Sequence, residues 1–179
     1  MNKDENEELN QVGRELRERV GGEFRLAAEE DEYWAMKQAR RAGTLSEFAY
    51  DAMSRGDRVE IRAGEAFFRG FIQHTRSDLV VLRAQASVDV NLGAPIVMRV
   101  IEPAGAPGTA SSPRGPASFS ARMAELEQTD ETCEFLTPFS PATVVGSVAV
   151  RARDHLVVEG SDHQEWIIPL AWLMAVVSR

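Results

Sequence analysis

Gly70 to Ile101, GFIQHTRSDLVVLRAQASVDVNLGAPIVMRVI, can be laid without a gap on Gly146 to Val177, GSVAVRARDHLVVEGSDHQEWIIPLAWLMAVV, at an offset of 76 residues. Gly70 then pairs with Gly146, Asp78 with Asp154, Val81 with Val157, Met98 with Met174 and Val100 with Val176. Self-similarity at a fixed spacing marks a structural unit used twice. It specifies an architecture and leaves the chemistry open, because activity belongs to sites and not to scaffolds.

Around the first copy the apolar residues change period. Val59 and Ile61 alternate with Arg58, Glu60 and Arg62, Gly64 marks a turn, and Ala66 to His74 has strand-like composition. Leu79 to Arg83, then Val88, Val90 and Leu92, then Ile96 to Ile101 complete five short strands joined by short turns. Five such strands predict a small closed barrel, since closure removes the edges that a small sheet cannot otherwise protect. The second copy predicts strands at Val144 to Val150, His155 to Val158, Glu165 to Ile168 and Trp172 to Val177, with a first strand poorly marked by Phe135 and Leu136.

Upstream the period is helical. Leu9, Val12, Leu16 and Val20 form the stripe of one amphipathic helix, and Glu23 to Ala42 reads as a second, acidic early and basic late. Thr44 and Glu47 make the pattern of a capping box ahead of Leu45, Phe48, Ala49, Ala52 and Met53, a third helix that stops near Arg55 and Gly56. Residues 103 to 118 are almost wholly Pro, Gly, Ala and Ser and read as a linker. After it, Phe119, Met123 and Leu126 share one face of a short helix, so the repeating unit is a helix followed by strands. The organisation predicted is a helical region at 1–43, a helix plus first barrel at 44–102, a linker at 103–118 and a helix plus second barrel at 119–179.

Gly70, Ile72, Asp78, Val80 and Leu82, and again Gly146, Val148, Asp154, Leu156 and Val158, place a glycine in a bent second strand and an aspartate at the turn into the third. In this the chain resembles the Sm-like and SH3-like small barrels, and Val90 to Ile101 and Trp166 to Val177 look like their closing strand pair. The helix followed by RGDRVEI is also similar to uncharacterised proteins of high-GC bacteria. RNA-binding Sm proteins carry a Met-Asn pair where this chain has Val81-Leu82 and Val157-Val158, a departure that argues against a uridine pocket of the Sm type. The resemblance implies an α+β fold, mainly β, with two tandem five-stranded barrels, each preceded by a short helix.

The bulk properties narrow the function. The chain has 179 residues and a formal net charge of −8, and its single cysteine, Cys133, can form no internal disulfide. No apolar run approaches the roughly 20 residues that span a bilayer, and the acidic, polar start lacks the features of a secretory signal, so a cytoplasmic location is expected and no membrane partner. Charge is uneven: residues 1–39 carry −5, residues 40–101 carry +2 and residues 102–179 carry −5.

That +2 segment holds the candidate contacts for nucleic acid or another anionic partner: Arg40, Arg41, Arg58, Arg62, Arg69, Arg76 and Arg83. Arg58, Glu60 and Arg62 share one strand face, so their charges partly cancel. Tyr33 and Trp34, beside an acidic helical run, are candidate protein-partner contacts. Trp166 and Trp172 align with Val90 and Ile96, which alternation assigns to the core. Asp78 and Asp154 are expected to accept backbone N–H bonds at matched turns. His155 and His163, with Asp154 and Asp162, match no metal-ligand spacing, and His74 fills a strand position where the second copy has Val150.

No nucleophile and base pair and no phosphate-binding glycine loop can be named. The reading is therefore a non-enzymatic cytoplasmic adaptor or regulatory module, with no cofactor, no metal and no small-molecule substrate, that acts through a protein partner or self-association. The alternative is a regulator that binds RNA or DNA through an arginine-rich face of the first barrel.

Overall fold

The structure is a computed structural model and describes residues 30–38, 41–104, 115–161 and 163–178. The chain forms two compact units, residues 1–43 and residues 44–179. In the first, residues 30–38 are helical (α1). The helix expected around Leu9 to Val20 lies outside the described residues.

The second unit opens with α2 (Leu45–Arg55), and its start is set by the capping box. The Thr44 hydroxyl accepts the Glu47 N–H at 3.2 Å, and the Glu47 carboxylate accepts the Thr44 N–H at 2.7 Å, which satisfies two donors that a helix start leaves open. Gly56 ends the helix in the left-handed region at φ 78°, donating to the carbonyls of Ala52 and Met53. Ala49, Ala52 and Met53 face inward. The matching helix α3 (Phe119–Thr129) is capped by Ser118, whose hydroxyl accepts the Ala121 N–H, and it buries Phe119, Met123 and Leu126. Each such buried apolar side chain contributes roughly 1.5–3 kcal/mol.

Among the described residues there are ten strands: β1 (Arg58–Ala63), β2 (Ala66–Arg76), β3 (Leu79–Arg83), β4 (Ser87–Asn91), β5 (Ile96–Glu102), β6 (Cys133–Leu136), β7 (Thr143–Arg151), β8 (His155–Gly160), β9 (Glu165–Pro169) and β10 (Ala175–Ser178). They do not make two closed five-stranded barrels. They form one open antiparallel sheet in the order β5-β1-β2-β3-β4-β10-β6-β7-β8-β9. A strand edge is satisfied by whichever strand supplies its N–H and C=O partners, and the edge of β4 is taken by β10. β4 therefore does not turn back onto β5, and β5 and β9 are left as the two ends of the sheet.

The two halves, β5-β1-β2-β3-β4 and β10-β6-β7-β8-β9, have equivalent strand orders. Both long second strands carry a bulge at the same place, between Ile72 and His74 and between Val148 and Val150. The duplicated glycine also has one cause in both: a Cβ at Gly70 would run into the carbonyl oxygen of Arg83, and one at Gly146 into that of Glu159.

The repeat is nevertheless not gapless. Arg83 and Ser87 close the β3–β4 hairpin, whereas Glu159 and Glu165 close the β8–β9 hairpin, which is two residues longer. Val88 thus corresponds to Trp166 and Val90 to Ile168. In the same way Val59 facing Val100 corresponds to Cys133 facing Ser178, so the partner of Val100 is Ser178 and not Val176.

Two apolar clusters fill the fold, and each borrows from the other half. The first gathers Val59, Ile61, Ile72, Val80, Leu82, Val88 and Val90 together with Leu136, Met174, Ala175 and Val177 from the second half. The second gathers Phe119, Met123, Phe135, Leu156 and Val158 together with Leu79 from the first. Strand β10 divides its side chains between them, with Ala175 and Val177 in the first cluster and Val176 in the second.

Candidate functional site

The outward side of the first half is a grid set by strand register. Residues two apart on a strand share a face. In β2 the face opposite the buried Gly70 and Ile72 carries Phe67, Arg69 and Phe71. Cross-strand pairing sets Phe67 against Arg62, Arg69 against Glu60 and Phe71 against Arg58, with Arg83 of β3 on the other side of Phe71. From β5, Arg99 stands opposite Glu60 and Val97 opposite Arg62.

Glu60 is the centre of this grid. Its carboxylate accepts from Arg69 Nε at 2.7 Å, from Arg62 Nε at 3.0 Å and from Arg99 Nε at 3.0 Å. The side chain is buried, but under guanidinium groups that themselves stay in water. The hydrogen bond from Arg69, followed by that from Arg62, outweighs the opposing effect of burial and lowers the carboxyl to about 2, with Arg99 adding its charge. One carboxylate shared by three arginines leaves a local surplus of positive charge. Arg58 meets Glu102 at 3.5 Å on the surface.

Beside this cluster an open cleft is lined by Arg58, Phe67, Arg69, Phe71, Arg83 and Pro103, among others. Phe67 and Phe71 are 58% and 53% exposed, and the Arg69 guanidinium lies over the Phe67 ring at 5.1 Å from its centroid. Such a surface suits an extended anionic chain that also carries apolar side chains. The rings supply contact area, and the planar guanidinium groups match carboxylate or phosphate in pairs of hydrogen bonds.

Of the arginines singled out in the sequence, Arg58, Arg62, Arg69 and Arg83 belong to this face. Arg76 does not: it borders a shallow recess with Ser46, Glu47, Tyr50, Asp51 and Thr75. Arg41 is exposed in the N-terminal unit, and Arg40 lies outside the described residues. In that unit Tyr33 and Trp34 are exposed and meet edge to face at 5.8 Å, with the Lys37 ammonium over both rings.

The two tryptophans assigned to the core are not in it. Trp166 is 36% and Trp172 50% exposed. Trp166 sits on the end strand β9, where among the described residues no strand covers it as Val177 covers Val88. Trp172 is in a 3-10 turn (Leu170–Trp172) rather than a strand, against Phe139 at 4.7 Å.

The matched aspartates share a backbone role and differ in their side chains. The carbonyls of Asp78 and Asp154 accept the N–H of Leu92 and Leu170, both at 2.8 Å. The Asp78 carboxylate accepts the Phe119 N–H at the start of α3, whereas that of Asp154 meets His155 at 2.7 Å. His163 meets Glu159 at 2.9 Å, so the two histidines have separate partners, and Asp162 lies outside the described residues. Among the described residues no three His, Cys, Asp or Glu side chains are placed to hold a metal ion. His74 is buried with Nε2 2.9 Å from the Pro116 carbonyl. Burial pushes the Cys133 thiol up, away from the reactive thiolate.

Phe67, Phe71 and the organising role of Glu60 were missed in the sequence, and Arg99, one of the seven arginines of the first half, was left out of the candidate contacts. The signal was present for the phenylalanines: once Phe68, Gly70 and Ile72 are assigned to the core side, alternation puts Phe67, Arg69 and Phe71 outside. Arg99 joins the group through the β1–β5 pairing, which no local pattern states.

The chain matches no protein-family model, no curated protein and no solved structure. No helix among the described residues is long and apolar enough to cross a membrane.

Proposed function

We propose that this chain is a non-enzymatic adaptor or regulatory module of the cytoplasm that acts through protein–protein contacts. Its docking face is the cleft of the first half, and its ligand is an acidic, partly apolar segment of a protein partner. The observation that carries this reading is the pair of exposed rings, Phe67 and Phe71, set between Arg58, Arg69 and Arg83. Exposed aromatic and arginine side chains gathered in a concave surface are the usual makings of an interaction hot spot. The lone cysteine, buried as a thiol, suits a reducing compartment. Tyr33 and Trp34 offer a further contact within the N-terminal unit.

Titration with a labelled peptide of alternating glutamate and leucine tests the reading. Saturable binding that weakens at least tenfold in Phe67→Ala/Phe71→Ala is expected, and a peptide that does not bind, or binds that variant equally well, overturns it.

The same rings and arginines support a second reading, a surface for single-stranded nucleic acid, because bases stack on aromatic side chains between phosphate contacts. It is less favoured, since Glu60 and Glu102 take up part of the arginine charge and the whole chain is at −8. Titration of single-stranded RNA and duplex DNA at two salt concentrations separates the two: phosphate binding falls steeply with salt, and no binding at low salt removes this reading.

A further inference from the structure

Among the described residues the strands of the two halves pair with each other only once, by the outer edge of β4 against β10. The counterpart of β4 in the second half is β9, and the counterpart of β10 in the first half is β5. These are the two ends of the sheet, so each chain carries both sides of a second junction of the same kind, one at each end. An unpaired strand edge is a template for another strand.

The side chains at those ends are matched to each other as those of the internal junction are. Inside the chain, Arg122 of α3 holds Asp89 of β4 at 2.8 Å. The equivalent positions at the free ends are Phe48 of α2 and Ile167 of β9, an apolar pair replacing an ion pair, and both are exposed in the single chain. Internally Val90 faces Ala175 and Val88 faces Val177. At the ends these become Ile168 with Val97 and Trp166 with Arg99, an apolar pair and a ring with a guanidinium. Asp78, whose carboxylate caps α3 from across the junction, has its counterpart in Asp154, which faces solvent, and the N–H of Phe119 has its counterpart in that of Leu45. Val97 and Ile167, 64% and 69% exposed, thus stand where the internal junction has the buried Ala175 and Asp89.

We infer that copies of this chain associate head to tail, β9 of one pairing antiparallel with β5 of the next in the register that β4 keeps with β10. Val97 then faces Ile168, Met98 faces Ile167 and Arg99 faces Trp166 across the contact. Pro169 stands where Asn91 stands, so this ladder lacks the bond that the Asn91 N–H makes to the Met174 carbonyl. The contact is heterologous, and it closes into a ring or continues as a filament according to the rotation between copies. Arg99 of the Glu60 cluster lies at this contact, but neither Phe48 nor Ile167 lines the cleft, so variants at those two positions test the association apart from the docking reading above.

Sedimentation velocity of the full chain over a concentration series tests the inference. The wild-type chain is expected to sediment as species larger than one chain. Ile167→Asp and Phe48→Arg should each reduce it to a single chain with an unchanged far-ultraviolet circular dichroism spectrum, because both positions are exposed. Phe48→Arg/Ile167→Asp places the Arg122–Asp89 pair at the new contact and should restore the larger species. A wild-type chain that stays single at every concentration overturns the inference, as does an Ile167→Asp variant that still assembles. Failure of the double variant to restore assembly overturns the register. Glutamate-leucine peptide binding by the single variants shows independently whether the cleft reading holds.

Discussion

The two halves of the sheet share strand order, bulge and buried glycine, and they differ in what their outer sides carry. Across β5, β1 and β2 the first half sets Arg99, Glu60 and Arg69 in one row. The equivalent row of the second half is Val177, Glu134 and Val145. The difference follows from position. Val177 is covered by the first half and belongs to its core, so a charge there would be stranded, while Arg99 lies at a free end where water solvates it. Duplication supplied the scaffold twice, and the single internal junction made one copy's outer side into core.

The strongest way to break this comparison is to unfold one half and ask whether the other survives. Phe135→Ala, at the position equivalent to Ile61, should cost about 3–5 kcal/mol. Because each core borrows from the other half, tryptophan fluorescence and circular dichroism should report one coincident transition in denaturant; two separated transitions would show that the halves fold independently. Next in size is the junction itself. Arg122→Ala leaves the Asp89 carboxylate buried without its ion pair and should cost about 3 kcal/mol at neutral pH. Burial already pushes the Asp89 carboxyl up against the pull of Arg122. Protonation as pH falls should therefore shrink the deficit, seen as a convergence of variant and wild-type midpoints in acid.

Asn91 sharpens the comparison further. Its side-chain amide donates to the carbonyls of Leu170 and Leu173 at 3.1 and 3.0 Å, tying β4 to the turn before β10. Asn91→Ala should cost about 2 kcal/mol by removing the amide from the buried Leu173 carbonyl and from the Leu170 carbonyl, which keeps the Leu173 N–H, measured as a lower denaturant midpoint with unchanged slope. The smallest effect belongs to the outer face. The Glu60 carboxyl lies at about 2 in the fold against 4.5 ordinarily. Its contribution is present above the ordinary value and is lost as pH falls from there through about 2. Glu60→Gln should lower the top of the stability curve and converge with wild type as pH falls through that window, which flattens the acid limb.

Much of the strand and helix pattern was legible because it depends on neighbours in sequence. The capping box of Thr44 and Glu47, the alternation at Val59 and Ile61, and the inward face of Phe119, Met123 and Leu126 are all read from local spacing. The grid around Glu60 was half legible: alternation places Arg58, Glu60 and Arg62 on one face, but Arg69 and Arg99 reach them through pairing with β2 and β5. The tryptophans show the limit most clearly. Trp166 does occupy a core-type position, equivalent to Val88, and is exposed where β9 has no further strand beside it among the described residues.

What the sequence by itself determined is the set of elements and their inward sides, since period and capping are properties of short stretches of chain. What only the tertiary structure decided is where each strand edge goes. Two halves closing on themselves and two halves joined through β4 and β10 satisfy the same alternation and the same turns. The choice rests on hydrogen-bond partners more than 80 residues apart, such as Asn91 with Met174, and on which side chains then lose their water.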